Sequence, residues 1–162
     1  QSLFSKILGL KILPSLFNKK IKSIIFDLDD TLYTGTIGED GIKKIYLDKN
    51  QKSALKIYSS LKKSGSILSI CSKNNKKDVD TIFKKKFLNE KNFFPIEANW
   101  NLKSYNIKKI QKILKVSFHN MLFIDNNISE ILEVKKSIKD LNVFWAKDSS
   151  SFFKLPKVLS RY

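Results

Sequence analysis

Ile24-Ile25-Phe26-Asp27-Leu28-Asp29-Asp30-Thr31 is the stretch of sequence that decides the fold. Its first three residues form an apolar run, which predicts a buried strand of a parallel sheet. Three carboxylates and a threonine hydroxyl follow at the C-terminal end of this strand, where open α/β sheets bind their ligands. Crowded carboxylates repel one another, and a bound divalent cation offsets that repulsion. The stretch therefore predicts a metal-dependent site at one edge of the sheet; the alternative is an ordinary acidic loop.

Short apolar runs alternate with helical patterns along the rest of the chain. They predict strands at 23–28, 67–70 (ending at Cys71-Ser72), 93–98, 121–124 and 142–145, and helices at 49–63, 76–87, 104–115 and 128–138. Such alternation is typical of the α/β class, with a parallel sheet of about five strands flanked by helices. The loop after the first strand carries Gly35, Gly38 and Gly41.

The length of 162 residues suits one domain with a single core. We assign residues 1–22 to a leading helix or linker and residues 23–162 to the catalytic domain. The first segment is apolar and basic, but Lys6, Lys11 and Pro14 interrupt it. No cleavage site of small residues follows, so a signal peptide is not expected. The abrupt start suggests a domain within a longer polypeptide.

The chain is strongly basic, with a formal net charge of +16 from 31 basic and 15 acidic residues. We do not expect nucleic-acid binding, because the lysines are dispersed and Arg161 is the only arginine. A basic surface still favours encounters with acidic partners or phosphorylated substrates. No apolar run is long enough to span a membrane. The single cysteine excludes an internal disulfide, which suits the reducing cytoplasm.

Four polar features fall at or just after the predicted strand ends: the Asp27–Thr31 group, Ser72, Lys103 and Asp125. A doubly wound sheet brings such points together in space. Each feature alone has a common structural explanation, such as a turn or a helix cap. Their joint order resembles the haloacid dehalogenase (HAD) superfamily of phosphotransferases, and the resemblance covers nearly the whole chain after residue 22.

That resemblance implies a role for each residue. Asp27 is the expected nucleophile and Asp29 the expected general acid/base. Asp27, the backbone carbonyl of Asp29, and Asp125 are the expected ligands of Mg²⁺. Attack of a carboxylate on phosphorus requires that the accumulating charge be neutralised, which Mg²⁺ and Lys103 do in such a site. The expected substrate-binding residues are Thr31, Ser72, Lys73, Asn74 and Lys103.

A finer resemblance is to the FkbH-like branch, the capless subfamily IIIC of the superfamily. It rests on five separated blocks: Asp27–Gly35, Gly38–Gly41, Cys71–Asn75, Asn99–Lys103 and Phe123–Glu130. The resemblance implies transfer of a three-carbon acyl group from a phosphorylated glycolytic metabolite such as 1,3-bisphosphoglycerate. Phosphate is removed, and the acyl group is loaded onto the phosphopantetheine thiol of an acyl carrier protein in polyketide biosynthesis. A place within a larger synthase polypeptide follows from the same resemblance.

The chain departs from the FkbH-like pattern at several positions. Leu28 stands where some members carry cysteine, which leaves Cys71 as the candidate acyl acceptor; the alternative is that Cys71 is a small buried strand residue. Tyr33 replaces a tryptophan and is expected to reshape the pocket wall. Asn126 replaces a second acid near the metal. Two further functions therefore stay open: a plain Mg²⁺-dependent phosphatase, and a docking domain that has lost turnover.

Overall fold

The structure is a computed structural model that describes residues 21–159, so nearly all of the predicted leading segment 1–22 lies outside the described residues. Its centre is a five-stranded sheet in which all paired strands are parallel, in the order β3-β2-β1-β4-β5. The strands are β1 (Ser23–Phe26), β2 (Ile67–Ser72), β3 (Ile96–Ala98), β4 (Met121–Asp125) and β5 (Asn142–Trp145). The predicted fold class is confirmed.

Helices connect the strands and cover both faces of the sheet. They are α1 (Ile37–Asp40), α2 (Lys49–Lys63), α3 (Lys76–Lys84), α4 (Lys103–Leu114), α5 (Ile128–Ser137) and α6 (Leu155–Leu159). Short 3-10 turns lie at Glu90–Asn92, Phe118–Asn120 and Ser149–Lys154. Within the described residues no helix has the length and apolar character needed to cross a membrane.

The predicted bounds differ from the observed ones in a few places. The helix predicted at 76–87 ends at Lys84, because Lys86 has a φ of +55°, outside the helical region. The strand predicted at 93–98 begins only at Ile96, after Pro95, which has no N–H to donate to a neighbouring strand. Helices α1 and α6 were not predicted, because four or five residues are too few to show helical periodicity.

Alternating side chains of the strands build a separate core on each face of the sheet. Phe26 of β1 packs against Tyr58 of α2, with 4.4 Å between ring centroids, on the face that α2 and the C-terminal segment cover. Ile25 belongs to the opposite core with Ile107 of α4 and Val134 of α5. Because every strand runs in the same direction, the polar residues that end β1, β2 and β4 meet at one edge.

Candidate active site

A buried lysine joins two carboxylates at the carboxyl edge of the sheet. Lys103, the first residue of α4, donates a hydrogen bond of 2.7 Å from Nζ to Oδ1 of Asp27 and a second one to Oδ2 of Asp125. Ser72 Oγ donates to the same Asp27 oxygen at 2.9 Å. None of these four residues is more than 5% exposed. The structure thus brings four predicted site residues into one hydrogen-bonded cluster.

The charges of this cluster do not balance. Burial and the neighbouring Asp27 raise the pKa of Asp125 to about 6. Burial alone would lower the pKa of the Lys103 ammonium, but the charges of Asp27 and Asp125 outweigh it and hold that pKa above its usual range. Two carboxylates around one ammonium leave one uncompensated negative charge when both are ionised. A cation that binds here relieves that charge.

The residues present fit a magnesium ion. Ser72 and Lys103 both donate to Oδ1 of Asp27, and Oδ2 has no hydrogen-bond partner among the described residues. In the described part of the chain no group of three or more His, Cys, Asp and Glu residues is placed to hold a metal. Magnesium does not need one, because it binds through one or two carboxylates and keeps several waters. Asp27 and Asp125 meet this requirement, with the Asp29 carbonyl as the predicted third ligand.

The carboxylate of Asp29 is held by three donors. Tyr33 OH donates to Oδ1 at 2.5 Å, the backbone N–H of Ile37 donates to the same oxygen at 3.1 Å, and Asn74 Nδ2 donates to Oδ2 at 2.9 Å. Burial raises the pKa of Asp29, and the three hydrogen bonds partly oppose that rise. A raised pKa suits a group that must carry a proton at one stage of a reaction. These donors occupy three of the about four lone-pair sites of the carboxylate, which leaves a site on Oδ2 for a proton, and the backbone carbonyl is the predicted metal ligand.

Thr31, a predicted substrate-binding residue, connects two loops of the protein in this structure. Its side chain is fully buried. The hydroxyl accepts a hydrogen bond of 3.1 Å from the backbone N–H of Asn126 and donates one of 3.3 Å to Asn126 Oδ1. Thr31 therefore ties the loop after β1 to the loop after β4. Both bonding directions of this hydroxyl are used within the protein, so its contact with a substrate stays a prediction.

Asn74 lies inside the cluster rather than in an open pocket. It is 3% exposed, and its amide nitrogen donates to Asp29 and, at 3.1 Å, to Ser72 Oγ. Both amide hydrogens are thereby used, which leaves no donor for a substrate. The structure therefore links the predicted acid/base to the predicted nucleophile through Asn74 and Ser72. The predicted role of Asn74 in substrate binding stays a prediction.

Residues from three motif blocks contact one another at the outer rim of the cluster. Lys73 donates a hydrogen bond of 2.6 Å to Glu130 of α5, and both side chains keep partial contact with solvent. Trp100 Nε1 donates to Asn75 Oδ1 at 3.0 Å, and the Trp100 side chain is exposed. Lys73 is the predicted substrate-binding residue that remains accessible.

Cys71, the candidate acyl acceptor, lies outside this cluster. Its side chain is fully buried in the core beneath α4, where Sγ lies 3.7 Å from the carbonyl oxygen of Lys103. Burial raises the pKa of the thiol well above its usual range, which disfavours the nucleophilic thiolate. Since successive strand residues point to opposite faces, Ser72 reaches the cluster and Cys71 does not. These facts favour the alternative of a small buried core residue.

The contact between Tyr33 and Asp29 was not predicted from the sequence. This side chain was expected only to shape the pocket wall, and the structure instead places its hydroxyl against Asp29. A backbone turn in which the N–H groups of Thr31 and Leu32 both donate to the carbonyl of Leu28 brings the two side chains together. A signal was present, since a polar aromatic residue four positions after the acid can reach it across one turn.

Comparisons with known proteins place the fold. No protein-family model matches the chain, and no curated protein matches it. A solved structure of the N-terminal part of a Bacteroides fragilis protein, containing a phosphatase domain complexed with Mg, is 26% identical, with a TM-score of 0.79 over 92% of this chain. The match covers 42% of that chain, so this chain spans less than half of its length.

Two more distant structures share the fold. A 3-deoxy-D-manno-octulosonate 8-phosphate phosphatase from Moraxella catarrhalis, in complex with magnesium, phosphate and its octulosonate, is 16% identical and has a TM-score of 0.60, with 94% of this chain and 92% of that chain covered. A HAD-superfamily hydrolase of subfamily IA from Geobacter sulfurreducens is 9% identical and has a TM-score of 0.67, with 86% and 97% covered. The fold is therefore the Rossmann-like fold of HAD-superfamily phosphatases. The bound magnesium in two of these neighbours is consistent with the predicted cofactor.

Proposed function

We propose that this chain is a Mg²⁺-dependent phosphatase of the HAD type in which Asp27 is the nucleophile. The observation that carries the proposal is the placement of Lys103 between Asp27 and Asp125, at the carboxyl edge of a sheet whose fold neighbours are phosphatases. Two ionised carboxylates and one ammonium carry a net negative charge, and a bound divalent cation would make the site net positive, as the binding of phosphoryl oxygens requires.

The residues divide the reaction into two displacements. A carboxylate oxygen of Asp27 attacks phosphorus, the bond from phosphorus to the leaving oxygen breaks, and Asp29 gives that oxygen its proton. A water molecule then attacks the aspartyl phosphate, Asp29 takes the water's proton, and inorganic phosphate leaves Asp27 free again. Lys103 has a third ammonium hydrogen, beyond the two given to Asp27 and Asp125, to donate to a phosphoryl oxygen, and the Ser72 hydroxyl turns from Asp27 to donate to another. Bound Mg²⁺ neutralises charge on the phosphoryl group and on the two carboxylates.

Phosphate release from 4-nitrophenyl phosphate and acetyl phosphate, with Mg²⁺ or with EDTA, tests this proposal. We expect Mg²⁺-dependent release that falls by more than about 10³-fold in Asp27→Asn, because the amide cannot act as the nucleophile. The matched control is Asp30→Asn, the same change at an exposed position three residues away, which should retain activity. Full activity of Asp27→Asn, or no release by the wild-type chain with Mg²⁺, would refute the proposal.

A second, finer proposal is FkbH-like acyl transfer to an acyl carrier protein, within a larger polyketide synthase. The observation that favours it is that residues of the FkbH-like blocks contact one another at the rim, as in the pairs Lys73–Glu130 and Trp100–Asn75. The net charge of +16 also suits an acidic carrier protein.

The buried Cys71 thiol is poorly placed to accept an acyl group in such a transfer. We propose that the carrier thiol attacks the acyl carbon of an acyl phosphate such as 1,3-bisphosphoglycerate directly. The thiol gives its proton to the departing phosphate as the carbon–sulfur bond forms, the bond from carbon to the phosphate oxygen breaks, and Lys103 holds the phosphate that leaves. Mass measurement of a phosphopantetheinylated carrier after incubation tests this step. A carrier of unchanged mass, with folded and Mg²⁺-loaded protein, would reject acyl transfer and leave the phosphatase proposal standing.

A further inference from the structure

We infer that Tyr33 is a positioning residue for the reaction, and that its hydroxyl holds Asp29 in the orientation that protonates the leaving oxygen. This inference rests on the proposed phosphatase function. The evidence is the hydrogen bond of 2.5 Å from Tyr33 OH to Asp29 Oδ1, together with the donors Ile37 N and Asn74 Nδ2 on the same carboxylate. Three donors from three segments of the chain leave this carboxylate little freedom to rotate.

Tyr33 is itself fixed in place, which a positioning role requires. Its side chain is fully buried. The ring packs edge-on against Phe87, with 5.8 Å between centroids and an interplanar angle of 83°. The turn at Leu28 sets the distance between the hydroxyl and Asp29. Because neither the ring nor the turn can move without disturbing the core, the hydroxyl acts as a rigid support for the carboxylate.

The hydrogen bonds continue from Asp29 to the nucleophile. Asn74 donates to both Asp29 and Ser72, and Ser72 donates to Asp27. The acid/base and the attacking carboxylate therefore belong to one hydrogen-bond network, in which the Tyr33 hydroxyl contacts Asp29. During the reaction Asp29 passes its proton to the leaving oxygen, whereas Tyr33 keeps its own proton and donates a hydrogen bond throughout. Tyr33 thus acts through Asp29 and does not touch the reacting atoms.

The role predicts a dependence on the leaving group that a purely structural residue would not have. An alkoxide leaving group needs a proton as it departs, whereas 4-nitrophenolate departs readily without one. Tyr33→Phe removes only the hydroxyl. We expect it to lower kcat/KM on an alkyl phosphate such as glycerol phosphate by about 10-fold or more, and kcat/KM on 4-nitrophenyl phosphate by less than about 3-fold. We compare kcat/KM because it reports the displacement in which the leaving group departs, whereas the later hydrolysis of the aspartyl phosphate is the same for both substrates.

A matched control exists in the same core. Tyr58 is also buried, and its hydroxyl has no hydrogen-bond partner among the described residues. Tyr58→Phe makes the same chemical change away from the site and should leave both rates unchanged. Asn74→Ala provides a second variant should Tyr33→Phe fold poorly, as judged by thermal unfolding. Asn74→Ala removes the hydrogen bond to Oδ2 of Asp29. It should likewise lower the rate on the alkyl phosphate more than the rate on 4-nitrophenyl phosphate.

Two outcomes separate the failure of this inference from the failure of the proposed function. Equal slowing of both substrates by Tyr33→Phe and by Asn74→Ala, with an active wild-type chain, would overturn the role of Tyr33 and leave the phosphatase proposal intact. Absence of phosphate release by the wild-type chain from both substrates would overturn the proposed function, and this inference with it.

Discussion

Lys103 Nζ lies 2.7 Å from Asp27 Oδ1, although 76 residues separate the two in the chain. The lysine begins helix α4 and the aspartate follows strand β1. Both are almost fully buried, and Asp125 completes the group. Burial of an ammonium and two carboxylates carries a desolvation cost, which their mutual attraction and hydrogen bonds offset. The contact therefore matters both for the stability of the protein and for the proposed site. Four predictions concern this cluster and the residues near it.

Removal of the lysine should destabilise the metal-free protein. Lys103→Met leaves two buried carboxylates facing each other, so we expect the free energy of unfolding to fall by about 3 kcal/mol or more. Urea unfolding in EDTA measures this change, and Mg²⁺ should restore part of the loss. Lys112→Met, at an exposed lysine of the same helix, should change stability by less than about 0.5 kcal/mol. Equal effects of the two variants would contradict the buried ion pair.

Stability without metal should depend on pH through Asp125. Its pKa is raised from 3.8 to about 6 by burial and by Asp27, so the folded state binds this proton more tightly than the unfolded chain. The free energy of unfolding in EDTA should therefore fall as pH rises from about 4 to about 6, with about 1–3 kcal/mol assigned to this group. Asp125→Asn should remove that share. The same slope in both proteins would show that Asp125 titrates normally.

Cys71 should be inert in the folded protein. Its thiol is fully buried, so a thiol-reactive chromophore such as Ellman's reagent should label it only after unfolding in urea. Ser59→Cys in a Cys71→Ala background puts the single thiol at an exposed position of α2 and should react at once. Cys71→Ala should also keep phosphate release and any carrier loading. Rapid labelling of native wild-type protein, or loss of loading in Cys71→Ala, would restore the acyl-acceptor role.

Asn126 allows a test of whether the site has lost turnover. This residue stands where the FkbH-like pattern has a second acid, and its Oδ1 accepts a hydrogen bond from Thr31 that an aspartate can also accept. Asn126→Asp adds a negative charge beside the predicted metal ligand Asp125, so we expect Mg²⁺ to bind about tenfold more tightly. Calorimetric titration measures this affinity. Mg²⁺ binding by the variant alone would favour the docking domain without turnover.

Much of the fold was predictable from local sequence. Apolar runs such as Ile24–Phe26 predict strands because a parallel strand buried on both faces needs continuous apolar side chains. The bounds of α2 agree with the prediction, because Asp48 and Gln51 form a capping box at its start and Gly65 closely follows its end. The short helix α1 and the C-terminal helix α6 were missed, because one turn of helix forms through its surroundings and not through its own periodicity.

The sequence by itself determined that Asp27, Ser72, Lys103 and Asp125 would meet at one edge, because parallel strands share a direction and their ends converge. Only the tertiary structure decided which neighbouring side chains share that edge. Thr31 and Cys71 are themselves predicted site residues, yet their hydroxyl and thiol are engaged in other contacts within the protein. Tyr33 reaches Asp29 because a turn and an aromatic contact set its position. Side-chain direction depends on packing between distant segments, which residue type and spacing do not specify.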